Sequence, residues 1–448
     1  MVLGCSSSDA DRWSYERIIH EEAPQVRSRD DARVRHEALA ARPELGLDDC
    51  WRLALHRSET LALDGEELAR IRTRYEQVFA QILPYASFRA SYTRQDEPPD
   101  PGASDAAQSF RQKERTQYNF NVRQPIFSGL REFYALRQNR EFAAAGEDAL
   151  RHAKLVLYAD VADAFYAVLA ADRELATQRD ALRLAQERLD ELSARNRLGI
   201  SRRAEVLQQE AEVASIQAAI ERLKGALAVA WDALRFLTGV AGVRPLVDAM
   251  PEPAPLPPLE EFSSRALARR RDLRALDAQV RAAEEGVGIA RAGYFPGADL
   301  EANYYTHREG ISADIDWDVL FTLEIPIFEG GATQARIREA RSYVRSAVLE
   351  AQRRRREVER EVGRAWTSAA AFHAELGALE KAVASARENY EIVQAEYRQN
   401  ITTNIEVLTS FNTLQAAVLE RDRSRYRAKL ARVRLEVESG AFPGGGSP

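Results

Sequence analysis

Cysteine and methionine are nearly absent from this chain, with two of each among 448 residues. Cys5 and Cys50 have no ligand-spaced neighbour and the six histidines are scattered, so neither a thiolate nor an imidazole metal site is expected. No window holds about 18 consecutive apolar residues, which excludes a membrane-crossing helix but not membrane strands, whose signal is much weaker. A basic excess is also missing. The net charge is −6, which argues against nucleic acid as a partner. The one basic run, Arg353–Arg356, is flanked by Glu350, Glu357, Glu359 and Glu361 and reads as an ion-paired helix face. No catalytic constellation is present. Gly286-x-Gly288-x4-Gly293 has the wrong spacing for a dinucleotide loop and lies in a helical stretch. The chain is therefore read as no enzyme, with no cofactor and no metal.

What the chain does contain is a phrase written twice. Gln124-Pro125-Ile126-Phe127-Ser128-Gly129 returns as Ile325-Pro326-Ile327-Phe328-Glu329-Gly330, an offset of 201. Each phrase closes an alternating apolar and polar run and opens a long proline-free segment, so each reads as a strand-to-helix junction. The same offset carries Arg197, Glu205, Val206 and Leu207 onto Arg398, Glu406, Val407 and Leu408, and Gly239 onto Gly440. Upstream the offset is 212, carrying Pro84 onto Pro296. The difference falls in a Pro/Asp/Gly loop at 96–102. Two copies of one unit make up nearly the whole chain.

The repeats divide as follows. Residues 1–46 form a polar leading segment. The first repeat, 47–240, holds a helix, a β-hairpin at 85–124, a long helix at 130–197 and a helix at 203–238. A Pro-rich connector at 241–258 leads to the second repeat, 259–440, with a helix, a hairpin at 298–326, a long helix at 331–398 and a helix at 404–438. A tail of 441–448 ends the chain. Leucines at 175, 182 and 189 recur every seven, as do Val206, Val213, Ile220, Leu227 and Leu234; this is coiled-coil spacing. Each long helix would span roughly 100 Å. In the hairpins Phe88, Tyr118, Phe120, Val122, Val319, Phe321 and Leu323 alternate with polar residues, over runs of the length a tilted membrane strand needs. A half-buried soluble sheet has the same period. If the strands meet lipid, four of them cannot close, and several chains must pool them.

With its doubled Pro-Ile-Phe-x-Gly phrase, its heptads and its turn Arg197-Leu198-Gly199-x5-Glu205-Val206-Leu207, echoed at Arg398–Leu408, the chain resembles the TolC-like outer-membrane efflux proteins over about residues 47–440. The resemblance implies a mainly α fold with a four-stranded β segment. The internal two-fold repeat would form long antiparallel coiled-coil helices and one third of a 12-stranded transmembrane barrel, closed as a homotrimer. It further implies an outer-membrane location in a Gram-negative bacterium and a passive exit duct. An inner-membrane transporter and a periplasmic adaptor protein would feed that duct. Val2-Leu3-Gly4-Cys5 is lipobox-like, and Cys5 is the expected lipid acceptor of a lipid-anchored member.

By the same resemblance Glu205, Glu406 and Tyr397 are pore-constriction residues, with Arg195, Arg202 and Arg203 opposite as tethers of a closed state. A ring of Glu406 side chains would attract cations. Family members often carry a second acid three residues on, where this chain has Thr409. The tip residues Leu198, Gly199, Ile200, Ser201, Asn400, Ile401 and Thr402 are the expected adaptor-docking surface, since exposed turns have no core reason to carry isoleucine. The competing reading of the charged residues is a solvated coiled-coil face. Two rival functions remain at this point: the duct of a type I protein secretion system, and a soluble coiled-coil scaffold whose hairpins cap rods.

Overall fold

A computed structural model describes residues 42–94, 96, 114–240, 242–252, 254–309, 312–399 and 401–442. Its elements are α1 (Leu47–Arg57), α2 (Glu59–Ala80), β1 (Tyr85–Arg94), β2 (Glu114–Ser128), α3 (Arg131–Arg197), α4 (Arg203–Thr238), α5 (Leu259–Arg269), α6 (Arg271–Arg291), β3 (Gly297–Arg308), β4 (Trp317–Glu324), α7 (Ala332–Arg398) and α8 (Asn404–Glu438). They divide between two compact units. One takes 66–149 and 272–353, the other the remainder. No described helix is long and apolar enough to cross a membrane.

The first unit holds the sheet, four antiparallel strands in the order β1-β2-β3-β4. The alternation puts unlike chemistry on its two sides. One face carries Phe88 against Phe120, Tyr304 against Trp317 and Leu300 against Phe321. Phe88, Phe120, Tyr304, Val319, Phe321 and Leu323 are all exposed there, so none of the described residues covers that face. The other face is a polar ladder. Asn119 and Asn121 donate to Asn303 at 2.8 Å each, and Asn303 donates to Asp318 at 3.0 Å. Tyr305 donates to Asp318 at 2.7 Å, and Arg123 pairs with Asp299. β2 runs four residues beyond the Gln124 limit drawn from sequence. Pro125 lacks the N–H a ladder needs, and the strand continues through a register shift between Pro125 and Phe127. Below the sheet α3 and α6 pack through small residues. A side chain on Gly288 would lie 2.3 Å from the Tyr134 ring, so that glycine serves close packing.

The second unit contains the main core, with Trp51, Tyr158, Val161, Phe165, Leu234 and Val433 buried together. Cys50 is fully buried here, and desolvation pushes its thiol up to about 12, so it is an inert core residue. The single helix expected at the start of the first repeat is two helices, α1 and α2. Ser58 ends α1, and its hydroxyl accepts the Leu61 N–H at 3.2 Å to start α2. Arg270, the residue 212 further on, makes the same break between α5 and α6. Arg270 is 3% exposed and is held by Glu438 at 2.7 Å and Glu361 at 3.0 Å. At Arg421 and Asp422 α8 carries a polar layer. Buried Asp422 accepts from Arg173 and Thr177, each at 3.1 Å, and from Arg421.

The connector between repeats is clasped to α8. Lys429 donates to Asp248 at 2.6 Å and to the Met250 carbonyl at 3.0 Å, while Arg425 grips Glu252. Arg425, then Lys429, hold the Glu252 carboxyl below its ordinary value.

Candidate functional site at the helical tips

Two turns end the coiled coils, one between α3 and α4 and one between α7 and α8. Gly199 makes the first possible by taking φ +73°, a left-handed conformation an L residue adopts only at a cost. The Gly199 and Ile200 N–H groups then close on the Asn196 and Arg195 carbonyls at 2.9 Å, and Asn196 Nδ2 donates to Ser201 O at 2.7 Å. In the second turn the Ile401 N–H closes on Glu396 O at 3.0 Å. The turns hold Leu198, Ile200 and Ile401 out in solvent, and Ile405 is exposed in the first turn of α8.

Behind the turns the four helices meet in one layer, each giving one buried side chain: Leu192 from α3, Val206 from α4, Tyr397 from α7 and Val407 from α8. Tyr397 is only 6% exposed. The Arg188 guanidinium lies 4.1 Å from its ring centroid and that of Arg195 5.0 Å, a double cation–π stack. Glu191 pairs with both arginines, and Arg188 also donates to Asn404 Oδ1 at 3.0 Å. Burial raises the Tyr397 hydroxyl's pKa, with Arg188 opposing, so the ring stays neutral at physiological pH.

The two acids occupy equivalent places, each the third residue of its helix. Glu205 accepts from the Ser201 hydroxyl. Glu406 accepts the Thr403 N–H at 3.2 Å, the return half of a capping box. Thr409, three residues further on, turns its hydroxyl back onto the Ile405 carbonyl at 2.7 Å. Arg202 and Arg203 are exposed beside the first turn. Sequence reading missed Arg188, Glu191 and Asn404. The spacing Arg188-x2-Glu191-x3-Arg195 puts these three on one helix face and was the available signal. Cys5 and Asn400 lie outside the described residues. Among the described residues no cluster of His, Cys, Asp or Glu is arranged to hold a metal.

A family model described as Outer membrane efflux protein matches residues 51–240 and 262–440. The chain belongs to the outer membrane efflux protein family. It is similar to outer membrane protein OprJ of Pseudomonas aeruginosa, 25% identical over 80% of this chain and 76% of that one. It is also similar to the cation efflux system protein CusC of Escherichia coli, 24% identical over 62% of each. Its fold matches a solved CusC structure with TM-score 0.76, at 20% identity over 88% of this chain and 92% of that one. It is an outer-membrane efflux channel of a Gram-negative cell, in a family of passive channels.

Proposed function

We propose that three copies of this chain pool their strands into one 12-stranded barrel continued by a helical tunnel, and that this duct passes substrates delivered by an inner-membrane pump and a periplasmic adaptor. The observation that carries the reading is the sheet, which among the described residues has two open edges, a polar face tied by its own hydrogen bonds and an uncovered aromatic face. An open edge in lipid costs several kcal/mol per unsatisfied backbone group, so closure by further copies is required. The helices support copies meeting side by side. α4 leaves Ala211, Ala218 and Val229 exposed, and α7 leaves Ala371, Ala378 and Ile392 exposed. Both sets are apolar and recur at heptad-compatible spacing.

In this reading Phe88, Tyr118, Phe120, Val122, Val319, Phe321 and Leu323 face lipid. Glu406, with Glu205, lines the narrow end as an acidic ring, and the Arg188–Tyr397–Arg195 stack fixes the closed tip. Leu198, Ile200 and Ile401 dock the adaptor. Cys5 takes the lipid anchor. Native mass spectrometry in detergent and planar-bilayer recording test the core of it. A trimer giving cation-selective single channels is expected; a monomer without conductance overturns it.

A further inference from the structure

The sheet obeys the two sequence offsets residue for residue. β1 pairs with β2 through Ala86–Val122, Phe88–Phe120 and Tyr92–Thr116. Adding 212 to the first residue and 201 to the second gives Ala298–Leu323, Leu300–Phe321 and Tyr304–Trp317, and each is an observed β3–β4 pair. The remaining junction, β2–β3, joins one repeat to the other. Its image under the same offsets joins β4 to a β1, and this chain's own β1 lies at the opposite edge.

Resting on the trimer reading above, we infer that β4 pairs antiparallel with β1 of the next copy in a register set by that image. Phe120–Tyr304 maps to Phe321 opposite Tyr92 of the next copy, Asn121–Asn303 to Thr322–Ser91, Val122–Ala302 to Leu323–Ala90, and Arg123–Glu301 to Glu324–Arg89. Past the register shift, Phe127–Ala298 maps to Phe328–Ala86.

The side chains support the register independently of the offsets. An aromatic pair maps to an aromatic pair, and an amide pair to a hydroxyl pair. The Arg–Glu pair maps to a Glu–Arg pair, with the signs exchanged and the attraction kept. A slip of two residues sets Glu324 opposite Ser87 or Ser91 and loses that attraction. A slip of one turns the aromatic side to the wrong face.

Burial supports it too. Ile126 and Phe127 are 55% and 36% exposed beside β3, whereas their mates Ile327 and Phe328 are 95% and 87% exposed. A side chain on Gly129 would lie 2.5 Å from the Ala292 carbonyl and 2.9 Å from Phe295, while its mate Gly330 has open space around it. The images of Ala292 and Phe295 are Ala80 and Leu83, and Leu83 is exposed. What the second phrase lacks is what a neighbouring first repeat would bring.

Opposed residues in an antiparallel pair sit about 4.5–5.5 Å apart between Cα atoms, within disulfide reach. Leu323→Cys with Ala90→Cys is expected to oxidise into covalent dimers and trimers on non-reducing gels. Leu323→Cys with Phe88→Cys or with Tyr92→Cys is expected to give at least tenfold less. Glu324→Arg and Arg89→Glu should each lower trimer yield, and the double exchange should restore it. In a sample shown to be trimeric by native mass spectrometry, cross-linking of a slipped pair, or of none, overturns the register. A monomeric sample overturns the trimer reading together with it.

Discussion

At Glu406 one carboxylate has two separable jobs. It caps α8 through the Thr403 N–H, and in the trimer reading it adds a negative charge to the narrow end. Glutamine at the third helical position keeps the capping box and removes the charge. Glu406→Gln is therefore expected to leave the melting temperature within about 2 °C, since the cap is kept, and to weaken block by multivalent cations roughly tenfold, equivalent to ~1.4 kcal/mol. Glu406→Ala removes both and should also cost about 1 kcal/mol of stability. Block unchanged in single-channel recordings of Glu406→Gln would make the residue a cap alone. Tyr397 contributes no charge to the same field, because burial holds its hydroxyl protonated.

Among the elements, the strand-to-helix junction makes the sharpest demand. Gly129 takes φ +69° with the Ala292 carbonyl where a Cβ would go. Gly129→Ala meets both left-handed strain, about 1–2 kcal/mol, and a backbone clash that only movement of β3's approach relieves. Folded yield in detergent should fall severalfold, and thermal melting by circular dichroism should drop by several degrees; a melt unchanged from the parent protein would mean the junction relaxes freely.

The connector makes a pH prediction. A lowered carboxyl pKa stabilises the clasp above the ordinary carboxylate range and loses that stabilisation as pH falls through the lowered value. Exchange of the 246–252 amides should thus be protected at pH 7 and accelerate below about pH 4, and Arg425→Gln should bring that loss to higher pH. Protection that is flat with pH would assign the connector's order to packing.

These junctions were legible in sequence because proline, glycine and heptads act locally; Pro326 and Gly199 do what their chemistry requires, whereas β2 runs on past Pro125 through a register shift. The Ser58 break had a local signal in its capping hydroxyl that the sequence reading passed over, but the Arg270 break did not, since nothing around Arg270 stops a helix. It is stopped by two carboxylates, Glu361 and Glu438, that lie 91 and 168 residues away along the chain. The Arg188 stack on Tyr397 was hidden for the same reason. The Thr403–Glu406 box was in plain view as a T-x-x-E spacing, and the family resemblance drew that glutamate toward a pore role alone.

For the whole molecule, a duct is useful only where it is coupled to what feeds it, and the tips are where apolar side chains are exposed without a core to explain them. Ile200 and Ile401 sit in turns whose backbone hydrogen bonds are already made, so replacing both with aspartate removes apolar contact area and leaves the fold intact. Burying an isoleucine is worth about 1.5–3 kcal/mol. In the proposed trimer, two per copy in three copies would dominate the docking interface, and a buried aspartate would add a desolvation cost. Ile200→Asp with Ile401→Asp should keep trimer mass, melting temperature and single-channel conductance, yet abolish export in cells supplying the pump and adaptor. Thr402→Asp, on the same turn but half-buried and polar at the start, should reduce export far less. Full export by the double variant would move docking away from the turns and onto the helix flanks.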